Sequence, residues 1–282
     1  MRARVAGVIG FPVAQSLSPR LHEFWLRELG ITGSYIPLAV AREDFSRVIE
    51  GQRRAGLAGV NVTLPHKHAA YALAHSVDEI ARKTGAANLL VFQPDGTNHG
   101  RNTDVDGLCA SLTEEIGADR IHGGDVVVLG AGGAARAAVL ALDRLGTRCI
   151  RILNRDSARA AKLATNLESI VSAELTALPW SERKAAVSVT TLLLNATSGG
   201  MAGSQPLDIS LEALPASAAV YDLVYNPHET ELVKQARQRG LGAANGLGML
   251  MHQAVPAFEA FFGVKPQVSS ALRAHLEAAL RT

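Results

Sequence analysis

Short apolar runs alternate along this chain with amphipathic stretches of about ten or more residues, a rhythm that predicts strands feeding helices in βα units on a parallel sheet. In the first third, VAGVIG (5–10), SYIPLAV (34–40) and AGVNVT (58–63) predict strands. Between them PRLHEFWLREL (19–29), REDFSRVIEGQRR (42–54) and HKHAAYALAHSV (66–77) place apolar residues at three- and four-residue spacing and predict helices. Ser18 before Pro19 predicts the start of the first helix, the hydroxyl capping free amides and the proline giving up no needed donor. NLLVFQPDGTNHG (88–100) predicts two short strands about a Pro-Asp-Gly turn, and DVDGLCASLTEEIG (104–117) a helix that bridges two domains.

At residue 123 the pattern restarts as a second, nucleotide-type unit. GGDVVVLGAGGAARAAVLALDRLG gives a strand and a helix, TRCIRILNR a strand, and a polar helix begins at Ser157. Later strands are predicted in TLLLNAT (191–197) and AAVYDLVY (218–225). Two helices, MLMHQAVPAFEAFFG and VSSALRAHLEAAL, close the chain.

Composition narrows the partners. A chain of 282 residues, 48% hydrophobic, is long enough for two cored domains. The net charge of +2 is spread without runs of like charge, so neither nucleic acid nor a membrane surface is indicated, and a small molecule is the expected partner. Cys109 and Cys149 stand apart from any metal-ligand spacing, which supports neither a disulfide framework nor a metal site and points to a reducing, cytoplasmic compartment. The opening MRARVAGVIGFPVA has arginines before an apolar stretch, but its Gly-Phe-Pro break and missing small-x-small site argue against a signal peptide. No apolar run reaches the roughly 18 to 20 residues of a membrane span. Apolar helix faces serve a core or a partner equally well, which leaves monomer and homodimer open.

Within DVVVLGAGGAARAA a strand leads directly into G-x-G-x-x-A, with Gly130, Gly132 and Ala135 at the three positions. The first glycine permits the tight turn, the second lets backbone approach a pyrophosphate, and the small third residue lets the helix pack close. Gly130, Ala131, Gly132, Gly133 and Ala134 thus open a helix whose free amides suit an anion. At the end of the next strand, where an NAD-binding chain usually carries an acid, stand Asn154 and Arg155, with Asp156 beside them and Arg159 one turn on. Guanidinium groups grip a 2′-phosphate in bidentate fashion, which leans towards NADP with NAD as the alternative. Asp156 opposes that reading unless its carboxylate turns aside to cap the helix beginning at Ser157.

Polar groups gather at predicted strand ends in the first unit. NVTLPHK supplies Asn61, Thr63 and Lys67; GAANLL supplies Asn88; GRNTDVDG supplies Asn102, Thr103 and Asp104; GFPVAQSLSP supplies Ser16 and Ser18. Strand ends are where α/β sheets present ligands, and a lysine can protonate the alkoxide that hydride transfer to a carbonyl produces. Each residue also has a plain alternative: Ser18 as a helix cap, Asn88 as a turn former, Lys67 as a solvated helix start.

Taken together these segments resemble the shikimate dehydrogenase family of shikimate and quinate dehydrogenases. The resemblance rests on Gly10, Pro12, Ser16, Ser18, Pro19 and His22; on Asn61 to Lys67; on Gly85, Ala86 and Asn88; and on Asn102 to Gly107. It continues through GAGGAAR, Asn154-Arg155, NATSGGM (195–201), DLVYNPHET (222–230) and GLGMLMHQA (246–254), in the family's order over essentially the whole chain.

The resemblance implies an α/β fold of two domains: an N-terminal substrate domain, 1–105, completed by returning helices in 247–282, and a Rossmann-type NADP-binding domain, 106–246, with a cleft between the halves. It implies reversible NADP(H)-dependent reduction of 3-dehydroshikimate to shikimate in aromatic amino acid biosynthesis. Lys67 and Asp104 would form the catalytic pair at the C3 oxygen, with no metal required. Ser16, Ser18, Thr63 and Tyr225 would bind the substrate carboxylate, and Asn61, Asn88 and Gln253 the ring hydroxyls. Thr197 and Gly246 would join the glycine-rich turn and Asn154, Arg155, Asp156 and Arg159 at the cofactor. His22 is expected to pack or cap within its helix. Glu23, Leu89 and Asp156 depart from the commonest family pattern, which leaves a quinate/shikimate dehydrogenase preferring NAD as an alternative. A dinucleotide-binding sensor without catalysis is the more distant one, opposed by intact Lys67 and Asp104.

Overall fold

The computed structural model describes residues 4–281. Arg2 of the N-terminal segment and Thr282 at the end of the expected first domain lie outside the described residues. The chain forms two compact units, one of residues up to Asp104 together with Gln253–Ala279, the other of Val105–His252.

In the first unit the chain runs β1 (Arg4–Gly10), α1 (Ser18–Glu28), β2 (Gly33–Ala39), α2 (Phe45–Arg54), β3 (Gly59–Val62), α3 (Lys67–Leu73), β4 (Ser76–Val77), α4 (Glu79–Thr84), β5 (Leu89–Phe92) and β6 (Asn98–Arg101). The sheet order is β2-β1-β3-β5-β6-β4. β1 pairs in parallel with β2 and β3, and its last five residues are buried, as a strand covered on both faces requires. The sheet is mixed rather than wholly parallel: β5 runs antiparallel to β3 and to β6, and the Pro-Asp-Gly turn joins β5 to β6 as a hairpin.

From Val105 on, the second unit holds the rest of α5 (Asp104–Glu115), then β7 (Asp125–Leu129), α6 (Gly133–Arg144), β8 (Cys149–Asn154), α7 (Ser157–Leu167), β9 (Glu174–Pro179), α8 (Arg183–Val187), β10 (Leu192–Asn195), β11 (Ala219–Asp222), α9 (Glu231–Gln238) and β12 (Gly242–Asn245). All six strands are parallel in the order β12-β11-β10-β7-β8-β9, which counted within the unit is 6-5-4-1-2-3, the doubly wound Rossmann arrangement. The order reverses between β7 and β10, so the glycine-rich turn after Leu129 and the loop after Asn195 flank the switch point. α10 (Leu247–Phe262) and α11 (Ser270–Leu280) end the chain, α10 continuing through Pro256.

Residues 253–279 complete the first unit's core. Phe258 and Phe261 are fully buried, Phe258 lies edge-on to Trp25 with centroids 5.3 Å apart, and Trp25 Nε1 donates to the Gln267 carbonyl at 3.0 Å. Among the described residues no helix is long and apolar enough to cross a membrane.

Two local expectations need correction. The helix predicted over 66–77 stops at Leu73, since Ala74 turns extended and the His75 amide donates to Asn98 Oδ1 at 3.0 Å, drawing the chain onto the sheet edge. Ser18 is not the cap of α1: the cap position is Leu17, without a side-chain hydrogen bond, and it is Ser16 Oγ that accepts from the Ser18 amide, at 3.3 Å.

Candidate active site

Lys67 opens α3 directly after β3, and Asp104 opens α5 directly after β6. Lys67 Nζ donates to Asp104 Oδ2 at 2.5 Å, with the side chains 29% and 14% exposed, so a charged pair is largely withdrawn from water yet still reachable. Such a pair needs its remaining lone pairs satisfied. Asn88 Nδ2 supplies this, donating to Asp104 Oδ1 at 2.8 Å.

Asn88 is a junction rather than a free ligand. Its Nδ2 also stands 2.9 Å from Thr103 Oγ1 and 3.3 Å from Gln253 Oε1, while its Oδ1 accepts from the Thr103 amide at 2.8 Å. One residue before, Asn102 Nδ2 donates to Thr84 Oγ1 and to the Ala86 carbonyl, both at 3.0 Å, and its Oδ1 accepts from the Asp104 amide at 3.1 Å. Asn88, Asn102 and Thr103 are all nearly fully buried, so the aspartate is held by a network whose members fix one another.

Asn61 joins this network through the Asn88 carbonyl, to which its Nδ2 donates at 3.2 Å, and its Oδ1 accepts from Tyr35 at 2.8 Å. Ser16 lies in the loop after β1, Ser18 opens α1, and Thr63 directly follows β3. The backbones there are tied by Thr63 N to Ile9 O at 2.8 Å and Phe11 N to Leu64 O at 2.9 Å. No side-chain bond joins these three hydroxyls to the lysine pair among the described residues. His22 packs, as expected: it is 1% exposed, stacked on Tyr35 at 3.9 Å, and burial lowers its imidazole to about pKa 3.

In the second unit, Gly130 adopts φ +111°, and a Cβ there would stand 3.0 Å from the Ala196 carbonyl oxygen, so the tight turn admits no side chain. Gly132 caps α6 without a side-chain hydrogen bond, and nothing lies within 4 Å of where side chains on Gly132 and Gly133 would point. That side of the helix start is open, with Ala131 half-buried and Ala134 exposed beside it, and the amides of a first turn have no partner within their own helix. At the end of β8, Arg155 and Arg159 are exposed, and among the described residues neither guanidinium has a partner. Asp156 turns back to cap α7, its Oδ1 accepting from the Ala158 and Arg159 amides at 3.1 and 3.3 Å. Asn154 Nδ2 bonds the Asp156 carbonyl at 2.9 Å.

A cleft lined by Asn154, Arg155, Trp180, Thr197, Gly199 and Gln205 opens beside these groups. Thr197 is fixed by Asn195 Oδ1, which accepts from its hydroxyl at 2.7 Å and its amide at 3.0 Å. Asn195 in turn donates to Asp222, a fully buried carboxylate that desolvation pushes above its ordinary pKa although Thr230 and the Val224 amide also donate to it. Sequence reasoning missed Tyr35, Trp180 and Asp222 as contributors, since nothing in their local pattern separates them from core residues. Gly246 has a packing reason of its own, because a side chain there would collide with the Leu223 carbonyl. Tyr225 is half-buried in the same unit, where burial pushes its phenol up. The open, uncapped helix start and the two unpartnered guanidinium groups fit a dinucleotide carrying an additional phosphate.

Comparison with known proteins agrees with this geometry. The family profile described as shikimate dehydrogenase substrate binding domain matches residues 8–90, and that described as shikimate / quinate 5-dehydrogenase matches 111–201. A curated relative from Paramagnetospirillum magneticum, shikimate dehydrogenase (NADP(+)), is 49% identical over 97% of this chain and 98% of its own. Quinate dehydrogenase from Corynebacterium glutamicum, solved in complex with NAD, superposes with a TM-score of 0.90 at 30% identity, covering 98% of this chain and 99% of that one. Shikimate 5-dehydrogenase from Thermus thermophilus, solved with NADP(H) and shikimate, gives 0.83 at 34% identity, covering 99% and 98%. The chain belongs to the shikimate dehydrogenase family.

Proposed function

We propose that this protein catalyses the reversible NADP(H)-dependent reduction of 3-dehydroshikimate to shikimate, with residues up to about 105 and the terminal helices binding substrate and residues 106–246 binding cofactor. The observation that carries the mechanism is the Lys67–Asp104 pair, half-buried and anchored by Asn88. Lys67 Nζ keeps two N–H donors after its bond to Asp104. In the reductive direction it hydrogen-bonds the C3 carbonyl oxygen and passes a proton to it as negative charge develops there; in the oxidative direction it takes that proton back. Asp104 aims the ammonium group, and its second oxygen, held by Asn88, keeps the carboxylate from rotating away. NADP(H), when bound, supplies or accepts the hydride.

The remaining assignments extend this reading. Ser16, Ser18, Thr63 and Tyr225 offer hydroxyl donors to the substrate carboxylate, while Asn61, Asn88 and Gln253 meet ring hydroxyls. Arg155 and Arg159 hold the 2′-phosphate, and the glycine-rich turn from Gly130 to Ala134 receives the pyrophosphate on the α6 amides. Thr197 and Gly246 complete the cofactor side. We place the enzyme in the cytoplasm as a monomer or homodimer. Both cysteines are free, and burial raises the Cys109 thiol to about pKa 11, which suits a protein without thiol chemistry.

A turnover assay with shikimate and quinate, each with NADP and NAD, tests the proposal. Preference for shikimate and NADP is the expected result. Preference for quinate and NAD, the pair named by the Corynebacterium glutamicum neighbour, reassigns the substrate. Dinucleotide binding without turnover of either acid removes the enzymatic reading.

A further inference from the structure

We propose that Tyr35 is a positioning residue for the substrate site, its hydroxyl holding the Asn61 amide so that the remaining Nδ2–H points its donor at a substrate oxygen. The inference rests on the reading of Asn61 as a substrate-binding residue. Tyr35 lies on β2 and Asn61 on β3, with β1 between them. Tyr35 pairs with Ala6 of β1, and Asn61 pairs with Val8, two residues further on, so both side chains stand on one face of the sheet. The tyrosine ring therefore reaches across a whole strand to deliver its hydroxyl to Asn61 Oδ1 at 2.8 Å.

The polarity of this bond is fixed by its surroundings. A carbonyl oxygen can only accept, so the Asn61 amide atom 3.2 Å from the Asn88 carbonyl is nitrogen and the atom facing Tyr35 is oxygen. The Tyr35 hydroxyl must then donate. Burial pushes its phenol well above the ordinary range, so the proton stays. The ring cannot swing away: it is 2% exposed, covered by the parallel His22 imidazole at 3.9 Å and tilted against Phe261 with centroids 6.3 Å apart. His22 is kept neutral by its own burial and adds no charge to the stack. Asn61 is thereby presented with its oxygen held by Tyr35, one N–H on Asn88, and one N–H without a partner among the described residues. Without the Tyr35 hydroxyl, one buried acceptor loses its donor and the amide is clamped on one side only, free to tilt or to turn its oxygen towards the substrate.

The Tyr35→Phe variant removes the hydroxyl and keeps the stacked ring. KM for shikimate is expected to rise about 3- to 10-fold, the loss typical of one hydrogen bond, while kcat and the KM for NADP stay within about twofold of wild type. A double-mutant cycle separates positioning from general packing. In an Asn61→Ala background, Tyr35→Phe should leave the shikimate KM where Asn61→Ala puts it. An unchanged KM in Tyr35→Phe overturns the inference while Asn61→Ala still raises KM. So does an equal rise in both backgrounds, which marks a packing role. If Asn61→Ala itself leaves KM at the wild-type value, Asn61 is no substrate residue, and the inference falls with that assignment.

Discussion

The two units prepare their chemistry in opposite ways. Around Lys67 and Asp104 nearly every polar atom is already spoken for: Asn88, Asn102, Thr103, Asn61 and Tyr35 form one buried network before any substrate arrives. Beside the α6 N-terminus the reverse holds, with glycines facing open space and two exposed guanidinium groups left unpaired. On the proposed function the difference follows from what each would recognise. A proton-transfer group has to be held within a fraction of an ångström, and buried hydrogen bonds do that. A phosphate is recognised by charge and amide direction, which exposed arginines and a bare helix start supply without prior assembly. The first region should therefore be brittle towards conservative substitution, the second tolerant and ionic in character.

The largest effect is expected at the lysine pair. Lys67→Ala should lower kcat by roughly 10²- to 10⁴-fold, the range of a lost general acid, with a smaller change in KM. Asp104→Asn should fall strongly as well, because an amide in that place can present an N–H where Lys67 and Asn88 both need an acceptor. Steady-state kinetics on folded, purified variants checks this. Near-normal kcat in Lys67→Ala would make it a surface lysine and break the contrast drawn between the units.

Arg155 probes the other side. Arg155→Ala should lower kcat/KM for NADP by about 10- to 100-fold, as for loss of a charge-assisted hydrogen bond, and leave kcat/KM for NAD nearly unchanged. Raising salt should weaken NADP binding in the wild type more than in the variant, since an exposed guanidinium is screened. An equal loss with both cofactors would mean that Arg155 shapes the cleft instead of reading the phosphate.

How far the sequence could be read follows the same divide. The Rossmann turn was legible because its constraints are local: Gly130 takes a positive φ beside the Ala196 carbonyl, and a second glycine two positions on keeps the helix start bare. Lys67 and Asp104 were visible as strand-end residues, but they stand 37 positions apart, and their pairing was named through family resemblance and not through spacing. Tyr35 escaped altogether, since a buried tyrosine on a sheet strand reads as core until its hydroxyl is seen to cross β1. β9 and β12 were missed for a different reason. Both are edge strands paired on one side, and GAAN carries no β-branched or aromatic residue to mark it.

The serines give a smaller and sharper test, because their backbone roles are the reverse of those expected from Ser18-Pro19. Ser16→Ala and Ser18→Ala should each raise the shikimate KM by about tenfold, the lower end of what one hydrogen bond to a carboxylate contributes. A loss of stability is expected only in Ser16→Ala, where Oγ accepts from the Ser18 amide, and thermal melts of the two variants read it directly. Equal melting temperatures would show that this bond adds nothing to the helix start.

The smallest effect is expected at Asp156, and it decides whether the acid beside the arginines belongs to the cofactor or to the helix. Its Oδ1 is engaged by the Ala158 and Arg159 amides, so the carboxylate is turned into the first turn of α7, where negative charge is favoured by the free N–H groups. With two exposed cations and the one anion engaged by the helix, the proposed phosphate position is net positive. Asp156→Ala should therefore destabilise the protein by about 1 kcal/mol, the usual effect of a lost N-cap, while the ratio of kcat/KM for NADP to that for NAD moves less than about threefold. Asp156→Asn should recover part of the stability, because asparagine caps through the same oxygen, and again leave the cofactor ratio alone. Chemical denaturation and paired cofactor kinetics on both variants make the comparison. A shift of the ratio towards NADP by tenfold or more, with unchanged stability, would place the carboxylate at the ribose and make the second unit a site tuned by repulsion as much as by its arginines.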